Sequence, residues 1–348
     1  MAALYFVLYF ILAGALVFLS NKLGQYIDLL DKKTKVSGAF LGGVLLAAVT
    51  SLPELFTSFS SIILFNEKEL VIGNVLGSNL FNVLVLGGCL IIFFNTFRKS
   101  KIDYKSHFST FLGLGIIYGL MCYGTFVPRE FQPQPESWPI NFICVFILIT
   151  YGLIVFFQPK QEEKEEEEKE DASPLSVKQI VIRFTICAIL LVGISILITY
   201  VTTLLQDELH LDATFAGALF LAIATSLPEL VSCATLCKKG NFNAAFGDIL
   251  GSCLFNFCII GLGELISFDG SLLSQIVYNG TALKDQAVYD AVKMTILAII
   301  TLLFIFILLI VKKNISDKKP NEKLTWFNVL TIVIGLIATS GYLIYLAI

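Results

Sequence analysis

Along this chain the apolar positions neither alternate nor recur at every third and fourth residue. They run on almost unbroken for about 17 to 25 residues at a time, the length an α-helix needs to cross a bilayer. Such stretches lie near 3–20, 36–63, 71–94, 107–126, 140–157, 179–204, 213–237, 244–267, 288–311 and 325–347. The pattern predicts an all-α integral membrane protein with ten transmembrane helices. The first stretch lacks the positive n-region and small-residue cleavage site of a signal peptide, so it reads as the first span.

Cations collect on one side of these spans. Lys22, Lys32, Lys33 and Lys35 follow the first span, Arg98, Lys99, Lys101 and Lys105 the third, and Lys160, Lys164, Lys169 and Lys178 the fifth. Lys238 and Lys239 follow the seventh, and Lys312, Lys313, Lys318, Lys319 and Lys323 the ninth, whereas the opposite side has Lys68, Arg129 and Lys284. The positive-inside rule then puts both termini outside and the odd-numbered connections in the cytoplasm, with the cell membrane as the expected location.

The stretches also resemble one another. GAFLGGVLLAAVTSLPEL at 38–55 aligns with ATFAGALFLAIATSLPEL at 213–230, and GNVLGSNLFN at 73–82 with GDILGSCLFN at 247–256. The chain thus divides into a five-helix half, 1–157, with one repeat segment (36–94), and a second half, 179–348, with the other (213–267). Because five is odd, the second copy crosses the membrane in the opposite sense. Two inverted-topology five-helix repeats are the signature of secondary transporters whose site lies near the midplane. The acidic segment between the halves, 158–178, reads as a solvated cytoplasmic linker, without the spacing of a calcium-binding EF-hand loop.

Composition agrees: 56% of the 348 residues are hydrophobic and 15% charged, with a mean hydropathy of +0.82. A net charge of −3, with no basic face, gives no reason to expect nucleic acid as a partner. The eight cysteines all fall in apolar segments and read as free, buried thiols.

TSLPEL, at 50–55 and again at 225–230, carries the candidate chemistry. Pro53 and Pro228 each remove one hydrogen bond from a helix and displace the carbonyl four residues back, near Val49 and Ala224. Helical spacing gathers Thr50, Ser51 and Glu54 on one face, and Thr225, Ser226 and Glu229 repeat the arrangement. An ionised carboxylate at mid-membrane costs about 2.5 to 3.5 kcal/mol on insertion scales, so packing alone gives no reason to keep two. No Lys or Arg lies near the middle of these two spans, which leaves a bound cation or a proton as the missing charge. Carboxylate, hydroxyl and carbonyl oxygens suit a hard cation, calcium better than magnesium. Ser78 and Asn82, mirrored by Ser252 and Asn256, add to the same shell.

Weaker features surround this centre. Glu264 lines an outer vestibule or, more simply, snorkels to water. His107 and His210 sit at span edges, and external Asp207, Glu208, Asp212, Glu67 and Glu69 concentrate cations at the mouth or, more simply, are solvated surface charge.

The paired TSLPEL segments, each followed by G-[ND]-[VI]-L-G-S-x-L-F-N, resemble the two alpha-repeats of the cation/calcium exchanger superfamily, above all the prokaryotic sodium/calcium exchangers. The resemblance covers essentially the whole chain. It implies a ten-helix antiporter in which the first and sixth spans slide over a fixed core and calcium and sodium compete for overlapping sites. Carried over residue by residue, it implies calcium held mainly by Glu54 and Glu229, with hydroxyls of Thr50 and Thr225 and carbonyls of Ala47 and Ala222. Sodium would use Ser51, Ser78, Ser226 and Ser252 with the same backbone, and Asn82 and Asn256 complete the central shell. These alanine carbonyls lie two residues before those the prolines release, a mismatch that unwinding over that turn would reconcile. Many family members have an acid in place of Asn256, which argues here against potassium coupling. Asp248 stands where the first repeat has Asn74, and Cys253 where it has Asn79.

The expected function is therefore electrogenic exchange of calcium for sodium, with those ions and the lipid bilayer as partners and no cofactor. A proton-coupled calcium or other divalent cation antiporter, with the two glutamates as proton carriers, is the alternative. A cation channel and an intramembrane enzyme are more remote, and no GxxxxGK[ST], HExxH or GxSxG motif supports an enzyme.

Overall fold

Nine of the ten predicted spans coincide with helices in the computed structural model, which describes residues 1–34, 50–126, 141–157, 175–267, 272–273 and 286–318. The tenth span, residues 36–49 of the second, and residues 158–174 of the acidic linker lie outside the described residues. In chain order the helices of more than one turn are α1 (Ala2–Thr34), α2 (Leu52–Phe65), α3 (Lys68–Ile92), α4 (Tyr104–Phe126), α5 (Phe142–Phe157), α6 (Val177–Leu209), α7 (Ala213–Lys238), α8 (Phe242–Ile266) and α9 (Gln286–Lys318). Seven of them are long and apolar enough to cross a membrane; α2 and α5 are shorter. No strand occurs among the described residues, as expected where water is absent and each segment must satisfy its own backbone.

Local residues set the helix ends. Ser176 opens α6 with a capping box: its hydroxyl accepts from Gln179 N–H at 3.3 Å, and the Gln179 side chain accepts from Ser176 N–H at 2.9 Å. His210 closes α6 in the left-handed region (φ 55°). Asp212 then caps α7 by accepting from the N–H groups of Thr214 and Phe215 at 2.9 and 3.4 Å, so this acid is a structural cap as well as a surface charge.

Packing separates the helices into two groups. A large apolar cluster is built from α3, α4, α5, α8, α9 and the C-terminal part of α7. A second cluster joins α1 and α6 to the start of α7, through Leu16, Leu23, Leu191, Ile198, Leu205 and Leu221. The outer faces of α1 and α6 leave Phe10, Ile11, Phe18, Ile186 and Ile189 exposed, as lipid-facing helices do. Between the groups, α3 and α7 touch backbone to backbone. A side chain at Gly73 would overlap the Thr214 carbonyl, and one at Gly77 would come within 2.7 Å of Ala218 Cα, so only glycine allows this approach.

Two expectations change here. Glu264 does not snorkel to water: it is 2% exposed and accepts from Asn141 N–H at 2.9 Å and from Leu272 and Leu273 N–H at 2.7 and 3.4 Å. The residues at the ends of α5 and α8 leave these backbone donors without helical partners, and a buried carboxylate satisfies them. Lys293, overlooked as a charge within a span, is buried in α9 and pairs with Asp290 at 3.3 Å.

Candidate cation site

Glu54 on α2 and Glu229 on α7 are both fully buried. Each accepts a hydrogen bond from the serine of the other TSLPEL copy. Ser226 Oγ donates to Glu54 Oε1 at 3.0 Å, and Ser51 Oγ donates to Glu229 Oε1 at 3.2 Å. The second oxygen of each carboxylate, Oε2, has no hydrogen-bond partner among the described residues, and neither acid is paired with a Lys or Arg.

The α3 and α8 motifs add further polar atoms. Ser78, Asn82, Ser252 and Asn256 are all fully buried. Ser78 Oγ, Ser252 Oγ, Asn256 Oδ1 and both polar atoms of Asn82 have no partner among the described residues. Asn256 Nδ2 does have one, Asn79 Oδ1 at 3.0 Å. A buried polar group without a partner costs about 1 to 3 kcal/mol, and such groups are usually few. Here they occur as symmetry-related pairs, and most are oxygens. Buried oxygens of this kind are the ligand type that hard cations take.

Thr50 and Thr225 are buried beside the acids. Thr225 Oγ1 donates to the Leu221 carbonyl at 2.9 Å and lies 3.4 Å from that of Ala222. Ala47 and Val49 lie outside the described residues. The unwinding expected around Ala222 and Ala224 is not observed: Ala222–Lys238 is continuous helix with Pro228 inside it. The ladder widens instead one turn earlier, in a π-helical turn at Gly217–Leu221. There the carbonyl of Phe220 accepts from the Tyr9 hydroxyl at 2.9 Å, tying α1 to α7.

Asn74 was noticed in the sequence only as the counterpart of Asp248, yet it links much of the site. Its Nδ2 donates to Thr57 Oγ1 and Ser58 Oγ at 3.0 Å each and lies 3.4 Å from the Glu54 carbonyl. Its Oδ1 lies 3.5 Å from Thr225 Oγ1, whose proton goes to the Leu221 carbonyl. The available signal was spacing, since Asn74 precedes Ser78 by four residues and so shares its helix face. Asp248, its counterpart on α8, is 4% exposed. The Ser232 side chain lies against the Asp248 carboxylate.

Comparison with known proteins agrees with this architecture. The model of the family described as "Sodium/calcium exchanger protein" matches residues 4–159 and 179–348. Inner membrane protein YrbG of Escherichia coli (strain K12) is 24% identical over 260 residues, which cover 72% of this chain and 76% of YrbG. The solved structure of the H+/Ca2+ exchanger CAX superposes with a TM-score of 0.65 at 13% identity, covering 96% of this chain and 81% of that one. The sodium-calcium exchanger NCX_Mj superposes with a TM-score of 0.55 at 19% identity, covering 97% of each chain. At these identities the two structures establish a shared fold and do not distinguish sodium from proton coupling. The chain belongs to the sodium/calcium exchanger protein family, and is thus a membrane transporter of the cation/calcium antiporter type.

Proposed function

We propose that this member of the sodium/calcium exchanger family is a secondary active antiporter that exchanges calcium for sodium by alternating access, built from ten helices in two inverted repeats. The observation that carries the proposal is the crossed pairing of two fully buried glutamates with serines of the opposite repeat, each leaving one carboxylate oxygen without a partner among the described residues. Calcium, as substrate, is held by Glu54 and Glu229, with Thr50 and Thr225 and the carbonyls of Ala47 and Ala222. Ser51, Ser78, Ser226, Ser252, Asn82 and Asn256 complete the central shell and serve sodium. Two carboxylates neutralise one calcium and are over-compensated by three sodium ions, so exchange is electrogenic. Both termini face outside and the acidic linker faces the cytoplasm, in the cell membrane. The separate packing of α1 and α6 supports their sliding as a unit across the remaining helices.

Reconstitution in proteoliposomes tests this directly. An opposing sodium gradient drives calcium uptake in the native chain, and Glu54→Gln or Glu229→Gln abolishes it; uptake retained by either variant overturns the assignment. Calcium flux indifferent to the opposing gradient identifies a channel instead. One observation favours the proton-coupled reading: Asp248 is a third buried acid, close enough to interact with Glu229. Calcium flux driven by a proton gradient and not by sodium decides for that reading.

A further inference from the structure

Away from the central site, the described residues contain one more group of metal-ligating side chains. Cys89, near the C-terminal end of α3, meets Cys233 and Cys237, one turn apart on α7, with all three sulfurs within 4.8 Å of one another. Each sulfur lies against both of the others. Cys89 is 4% exposed and the other two are fully buried, within the large apolar cluster. The remaining five cysteines are free and lie outside the group.

Packing alone gives no reason for three thiols to converge from two helices, because a buried thiol fills space as a small apolar group wherever it stands. Ligation does require convergence. Three sulfurs each about 2.3 Å from one ion stand about 4 Å apart, inside the spread found here. Thiolates select soft cations, whereas calcium and sodium take oxygen donors. No His, Asp or Glu belongs to the group among the described residues, so a four-coordinate structural zinc lacks its fourth protein ligand. We infer that Cys89, Cys233 and Cys237 form a three-sulfur site for a soft d10 cation of the Cu(I) class, separate from the transport site. Each thiol that becomes a ligand releases its proton. Lys238 and Lys239, which directly follow Cys237, put positive charge at this end of α7. A bound ion joins α3 to α7 at the end opposite their glycine contact.

Titration of the purified full-length protein with Cu(I), against a colorimetric Cu(I) chelator, tests the site. One Cu(I) per chain is expected, with sulfur-only coordination by X-ray absorption and a thermal midpoint that rises with copper. Cys89→Ser, Cys233→Ser and Cys237→Ser are each expected to weaken retention by at least about tenfold. A variant with Cys122, Cys144, Cys187, Cys253 and Cys258 all replaced by Ser retains the ion, which keeps the test independent of the folding of the first three. No retention by the native chain, or retention unchanged in all three single variants, overturns the inference. So does finding two of the three sulfurs in a disulfide as purified.

Discussion

The two copies of TSLPEL share every side chain and differ in backbone. In the second, Pro228 lies inside the unbroken helix Ala222–Lys238. In the first, Ser51 leaves helical geometry (φ −91°, ψ 13°) and a helix begins at Leu52, so that Pro53 occupies the first turn. Their supports differ too: Asn74 ties α3 to the first copy through Thr57 and Ser58, where α8 sets the acid Asp248 against Ser232 of α7. Yet both deliver a serine hydroxyl to the glutamate of the opposite copy, at 3.2 and 3.0 Å. Side-chain chemistry at the centre is conserved between the copies, while the scaffold that positions it is not.

Substitutions in matched pairs break this comparison at different points. The largest effect is the loss of exchange in Glu54→Gln and Glu229→Gln, equal in the two copies despite their unlike backbones. Next, Asn74→Ala takes a donor from Thr57 Oγ1 and Ser58 Oγ and destabilises the protein by about 3 kcal/mol, read as the loss in thermal or denaturant stability. Asp248→Asn, which makes the second copy resemble the first, has no such cost. The prolines separate the copies more finely. Pro228→Ala restores a hydrogen bond within a helix and stabilises by about 1 to 2 kcal/mol, whereas Pro53→Ala, in a first turn where the missing N–H costs nothing, changes stability by under about 0.5 kcal/mol. Equal shifts for the two prolines would remove the distinction. Ser51→Ala and Ser226→Ala each forfeit one bond to a carboxylate, about 1.5 kcal/mol, and the two losses match if the crossed pairs are equivalent.

The smallest effect lies outside the membrane. Burial, with the nearby Asp207 charge, raises the Glu67 carboxyl above its ordinary value of 4.5. The folded chain therefore binds this proton more tightly than the unfolded one. Stability contributed by that proton is present at low pH and is lost as pH rises from 4.5 through the raised value. Glu67→Gln flattens that part of the pH–stability curve, and a curve unchanged by the substitution would exclude Glu67 as its source.

Much of this molecule was legible in the chain. Runs of apolar residues placed nine spans on observed helices, because a bilayer offers no water to backbone groups; the ends were less legible, since α1 and α9 run on to Thr34 and Lys318, well past the apolar stretches. The acids were legible for the same reason: a carboxylate in an apolar run conflicts with its surroundings and marks itself. Asn74 carried no such signal, since a single amide among glycines and serines is ordinary helix glue until its partners are known. Glu264 was misread because its partners are backbone N–H groups, which every residue carries and no pattern advertises.

What the sequence determined by itself is therefore the place of the described helices, the two related segments and the buried acids at the centre. Tertiary structure alone decided which residues meet: Ser51 with Glu229, 178 positions away, Ser226 with Glu54, 172 away, and Cys89 with two sulfurs of α7. The reason is physical. A helix in water shows which face turns inward by its apolar stripe, but a helix apolar on every side carries no such stripe. Its rotation is set by close contacts, here the glycine approach of α3 to α7, and only packing in three dimensions fixes those.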